Sequence, residues 1–135
     1  MENAPLFLLY LQVNILSMQE SETLTPTEEV KQKAQQLSLQ HKCNVIPLYF
    51  KIQDSEPVTG FFKEPPRFMK LQIMDKITIN QGMVAASAAL DAYIIKEESD
   101  SRIWDEKSEN DAYYLAAAQE LLFSVQVAIN QVKKN

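Results

Sequence analysis

Apolar positions recur along this chain in two periods, and each change of period marks an element. Val30, Ala34, Leu37 and His41 stand four, three and four residues apart, which predicts a helix with one narrow inward face. Residues 25–28, Thr-Pro-Thr-Glu, read as its capping box: Thr25 caps, Pro26 takes the first helical position and Glu28 reaches back. Residues 42–44 end it. From Val45 the period becomes two. Ile46, Leu48, Phe50 and Ile52 alternate with Val45, Pro47, Tyr49 and Lys51, predicting a strand with one buried face. Pro47 cannot donate to a ladder and so places that strand at an edge. Residues 54–57, Asp-Ser-Glu-Pro, are turn chemistry, and Val58 to Lys63 return as the second strand of a hairpin. A lone hairpin is marginal in water, so helices must cover it.

Pro65 and Pro66 end the hairpin and start the next helix. Phe68, Leu71 and Met74 predict its inner stripe, widened by Ile73 and Ile77, with Arg67 and Lys70 outside. Gly82 interrupts the pattern. A second helix from about Met83 to Ile95 carries Ala85, Ala86, Ala88, Ala89 and Ala92. Such small side chains let a neighbour approach closely, so this is the expected central helix. Residues 96–107 gather Glu97, Glu98, Asp100, Asp105 and Glu106 in a loop pinned by Ile103 and Trp104. Ser108 caps the last helix, with Asp111 three residues on. That helix shows the stripe Leu115, Ala118, Leu122, Val125, Ile129, Val132 and a second of Tyr114, Leu121 and Ala128; Lys133 and Lys134 complement its dipole. A surface helix needs one stripe. Either two neighbours in a bundle cover both, or one stripe meets a partner or another copy.

Residues 5–17 form an apolar run, shorter than the ~20 residues that cross a bilayer. Glu2 precedes it and no small-residue cleavage site follows, so it does not read as a signal peptide. Two readings stand: a strand or short helix docked on the domain, or a natural start at Met18. The expected organisation is an apolar run and flexible segment over 1–24, then a single α+β domain over 25–135. In that domain a β-hairpin, with a third strand if the N-terminal run supplies one, packs on three to four α-helices.

Composition narrows the chemistry. The only glycines, Gly60 and Gly82, are too few for a phosphate-cradling loop. A net charge of −5 disfavours nonspecific binding to nucleic acid. The lone Cys43 excludes an internal disulfide and a multi-cysteine zinc site, and with the single His41 so close in sequence it makes no convincing dyad. The carboxylates of 97–111 lack the glycine and alternate-position ligands of a calcium loop. The expectation is therefore no catalytic residue, no cofactor and no metal, with an enzyme the least expected class. Arg67, Lys70 and Lys76 beside Phe61 and Phe62 make too small a basic patch for single-stranded nucleic acid. Large aromatics and arginine anchor interfaces, so the candidate partner-binding residues are Phe61, Phe62, Arg67, Tyr113, Tyr114 and Phe123.

From about Thr25 onward, the order of a capped helix, a hairpin, an alanine-rich helix, an acidic loop and a closing helix resembles the small tail-assembly chaperones, or related tail proteins, of tailed bacteriophages. These include those of gut Bacteroides and the crAss-like group. The matching pieces are Phe61 and Phe62 with Lys63, Glu64, Pro65 and Arg67, then 88–95, then the acidic stretch around Asp100. The motif is short and built from common residues. The resemblance implies a non-enzymatic tail-assembly or virion-associated protein. It would bind tape measure or tail tube proteins in the host cytoplasm, using neither nucleic acid nor membrane, with self-association as a further option. The alternatives are an internal or connector component of the particle, or a bacterial adaptor unrelated to phage.

Overall fold

The computed structural model describes residues 21–134, with side-chain surroundings through residue 127. Its sheet has strand order β1 (Ser21–Thr23), β2 (Val45–Ile52), β3 (Val58–Lys63), antiparallel throughout. Helix α1 (Glu28–His41) lies on one face. The other face carries α2 (Arg67–Thr78), α3 (Gly82–Tyr93), the short α4 (Ser101–Trp104) and α5 (Asp111–Lys134). The α+β class follows the sequence pattern. The third strand, however, comes from Ser21–Thr23, within the segment expected to be flexible; the run 5–17 lies outside the described residues.

The hairpin is buried on both faces rather than one. Leu48, Phe50, Val58 and Phe62 point into the main core with Ile73, Ala89, Leu90, Ile103 and Leu121. On the reverse face Val45 and Phe61 pack with Ala34, Leu37 and Ile95. Full burial of each large apolar side chain contributes about 1.5–3 kcal/mol. Phe61 pairs with Pro47 and Phe62 with Ile46, so successive phenylalanines enter different cores.

β2 is the middle strand, which corrects the edge placement drawn from Pro47. The reason the proline is tolerated is local. β1 reaches only Phe50 to Ile52 of β2, with Leu24 N–H donating to the Tyr49 carbonyl at 2.9 Å. Two residues earlier, Pro47 faces the same side, beyond the end of β1. The outer edge of β3 is closed by the connector after α3. Ile95 N–H donates to the Phe61 carbonyl at 2.8 Å, Asp100 N–H to the Thr59 carbonyl at 2.9 Å, and Phe61 N–H to Ser99 Oγ at 2.9 Å.

Other boundaries moved. Thr27, not Thr25, caps α1, accepting from Val30 N–H at 3.3 Å. Lys42 ends it in the left-handed region at φ 57°. Ser108 opens a 3-10 turn, Ser108–Asn110, ahead of α5. The acidic connector contains the turn Lys96–Glu98 and α4, capped by Asp100, whose carboxylate accepts from Arg102 N–H at 3.0 Å. That carboxylate also holds the guanidinium at 2.7 Å, and these hydrogen bonds keep Asp100 below the ordinary aspartate pKa.

Both glycines sit where helices close on their neighbours. A Cβ on Gly60 would stand 2.8 Å from Ile103 Cδ1, and one on Gly82 would stand 2.9 Å from Ile77 Cγ1 and 3.4 Å from Leu122 Cδ1. α3 packs between α2 and α5 as the central helix, through Gly82, Ala86, Ala89 and Leu90. On α5 the inward line is Ala117, Ala118, Leu121 and Val125, so it takes Ala118 and Val125 from the expected main stripe and Leu121 from the expected flanking one. Leu115, expected inside, is exposed. Ala128, Ile129 and Val132 lie outside the described side chains.

Candidate interaction surface

The apolar residues of α2 are spread around its axis and interleaved with polar ones, so its sequence does not choose a face. Packing against α3 and α5 selects Met69, Ile73 and Ile77 for the core. Phe68 and Leu71, expected inside, are left outside; Phe68 is 66% exposed. The turn to α3 adds Ile79, and the first turn of α3 adds Val84, 71% exposed. Because α2 and α3 form a helical hairpin, their outward faces enclose a groove of about 530 Å³. Met69, Ile79, Val84, Ala85 and Ala88 give it an apolar lining, while Gln72, Asp75, Lys76 and Gln81 supply polar groups. Alanines on the α3 wall leave the groove open where larger side chains would fill it. Periodicity missed this surface, although α2 spreads its apolar residues over more than one face.

The six candidate residues separate. Phe61 and Phe62 are core residues with 2% and 1% exposure, unavailable to a partner. Burial of both sheet faces is the physical reason. Arg67 is exposed at the start of α2, one residue before Phe68. Tyr113 is half-buried under Arg102, whose guanidinium carbon lies 4.6 Å from the ring centroid and whose Nη1 donates to the Tyr113 hydroxyl at 3.4 Å. Tyr114 is half-buried as well. Its hydroxyl lies 3.1 Å from Asp91 Oδ2 and 3.3 Å from the Ser87 carbonyl, and burial pushes its pKa up. Phe123 alone among these aromatics projects freely, at 56% exposure, on the far side of α3 from the groove. The structure therefore brings Arg67 to the groove's helix and leaves the rest elsewhere.

Beyond the C-terminal end of α3, Asp91, Asp105, Glu106 and Asp111 surround a second cleft with Lys96, Trp104 and Tyr114. The Trp104 Nε1–H donates to the Lys96 carbonyl at 3.1 Å, and the Lys96 ammonium lies 5.7 Å from the indole centroid. Among the described residues, no three His, Cys, Asp or Glu side chains gather into a possible metal site, and no helix is long and apolar enough to cross a membrane. Elsewhere Lys70 is engaged by Glu64 at 2.6 Å, and that hydrogen bond lowers the Glu64 pKa. The chain matches no family model, no curated protein and no solved structure.

Proposed function

We propose that this protein is a non-enzymatic assembly factor of a tailed phage that binds other tail proteins, of the tape measure or tail tube class. The observation carrying the reading is the α2–α3 groove, which the exposed Ile79 and Val84 line together with Met69, Ala85 and Ala88. A groove between two helices, apolar along its length and polar at intervals, suits the apolar face of a partner helix. Contiguous exposed apolar surface of this kind marks association sites more often than it occurs by chance. The net charge of −5 would keep such a complex soluble while its apolar faces are occupied. The proposed place of action is the host cytoplasm during assembly, with retention in the virion as the alternative fate.

The test is co-expression with tail tube and tape measure proteins of a tailed phage, followed by affinity purification. The wild-type chain should retain one of them. Val84→Asp and Ile79→Asp should each reduce recovery at least tenfold while the thermal melt stays within about 2 °C, because exposed substitutions shift stability by roughly 0.5 kcal/mol or less. Capture that survives both substitutions moves the contact away from the groove. No capture of any tail protein removes the phage reading.

A further inference from the structure

A different cleft, of about 240 Å³, lies between β1, the first turn of α3 and the middle of α5. Met83, Leu122 and the projecting Phe123 form its apolar wall, and Gln119 and Gln126 add amide groups. One charge lines it. The half-buried Glu120 carboxylate accepts from Thr23 Oγ1 at 2.6 Å through Oε1, while Oε2 takes no hydrogen bond among the described residues. Among the described residues, Glu120 forms no ion pair, and no lysine, arginine or histidine lines the cleft. A charge held partly out of water without a counter-charge costs stability. Burial accordingly raises the Glu120 pKa. Glutamine would accept the same Thr23 hydrogen bond without that cost, so the charge points to a role beyond the fold.

The cleft's chemistry selects its complement. An apolar wall suits an aliphatic stem and a carboxylate suits a cationic head, and lysine joins the two. Thr23 already occupies Oε1, so a guanidinium fork, which takes both carboxylate oxygens, fits less well than an ammonium. The volume falls below the roughly 300 Å³ at which small-molecule sites begin, and suits one side chain. A free alkylamine would have to offset its whole loss of translational freedom with this contact, whereas a lysine on a docked protein shares that loss with the rest of its interface.

We propose that this cleft receives a lysine side chain of a partner protein, the stem lying on Met83 and Leu122 and the ammonium meeting the Glu120 carboxylate beside the Phe123 ring. The site is separate from the α2–α3 groove and does not rest on the reading given to that groove.

Nuclear magnetic resonance titration of the full-length chain tests this, with a capped alanine peptide carrying one central lysine as the probe. Saturable shifts should concentrate at Met83, Gln119, Glu120 and Phe123. Replacing the peptide's lysine by norleucine should weaken binding at least fivefold, and arginine should bind less tightly than lysine. Glu120→Gln keeps the Thr23 hydrogen bond and the fold, and should also weaken binding at least fivefold. Val84→Asp, in the groove, should change nothing. Absence of shifts at the cleft, or binding that ignores Glu120→Gln, overturns the proposal. Equal affinity for arginine overturns the choice of an ammonium. Butylammonium binding more tightly than the peptide would make the occupant a free amine. The same shifts on concentrating the chain alone would make it a second copy. Either result overturns the partner lysine.

Discussion

Tyr49 and Phe50 are adjacent in β2 and meet different surroundings. Phe50 is fully buried against the α2–α3–α5 layer, whereas Tyr49 is half-buried on the face that α1 covers incompletely. Phe50→Ala should cost about 3–5 kcal/mol in urea unfolding, and Tyr49→Ala clearly less. Equal losses would contradict the observed register. Glu120 is a second residue with a measurable signature. Burial raises its pKa above the ordinary 4.5, against the smaller opposing effect of the Thr23 hydrogen bond. The unfolded chain therefore gives up this proton at a lower pH than the folded chain does. Stability falls as pH rises through that window and stays lower above it, and the penalty disappears when both states are protonated. Glu120→Gln, whose amide oxygen still accepts from Thr23, should raise Tm at pH 7 and lose that advantage below about pH 4. A gain that persists unchanged at pH 3 would assign it to packing instead of charge. Residue-level legibility in the sequence was uneven. Phe50 showed its inward direction through strict alternation, but Phe61 and Phe62 looked like surface anchors because nothing in their own segment reveals that helices cover both sides of the sheet.

At the scale of elements, Ser99 closes the edge of β3. Its hydroxyl accepts from Phe61 N–H and lies 2.7 Å from the Ile95 carbonyl, so one side chain serves two backbone groups beside a buried strand. Ser99→Ala should leave the Phe61 amide without that acceptor, at a cost of about 1–3 kcal/mol. Hydrogen exchange should be most accelerated at Phe61; uniform acceleration across the sheet would deny the edge role. The connector's acidic composition was plain in the sequence, while its part as an edge cover was not, because that depends on where α3 delivers it. The helix faces divided in the same way. α1 has one apolar stripe and matched its expected face. α2 and α5 have apolar residues to spare, and only the docking of α3 between them decides that Ile73 and Leu121 turn inward while Phe68 and Leu115 turn out. The groove was missed for that reason: it belongs to a pair of helices and to neither one alone.

At the scale of the molecule, the sheet separates two apolar clusters. Leu37 lies in the smaller and Phe50 in the larger. Leu37→Ala should cost about 2–5 kcal/mol. Combined with Phe50→Ala, its effect should add to within about 0.5 kcal/mol, since the two side chains share no neighbour within either cluster. Strong coupling in the double mutant would show one continuous core. The strand–helix order legible in the sequence gave the α+β class, but the layering required Val45 and Phe61 to be recognised as a second apolar face. That signal was present and was outweighed by the stronger alternation of Ile46, Leu48, Phe50 and Ile52.

Among the described residues no strand pairs with β2 on the β1 side at Val45–Pro47, and that stretch has a bearing on solubility. Val45 N–H is occupied by Ser38 Oγ at 2.9 Å, and Pro47 has no N–H to offer. An incoming strand from another molecule would find carbonyls on that stretch with no donors between them. Cross-molecular ladder growth requires reciprocal exchange, giving and receiving at alternate residues. A one-sided edge of this kind arrests fibril-type stacking at its first rung, so a strand at the centre of the sheet can stay partly uncovered without recruiting its own copies.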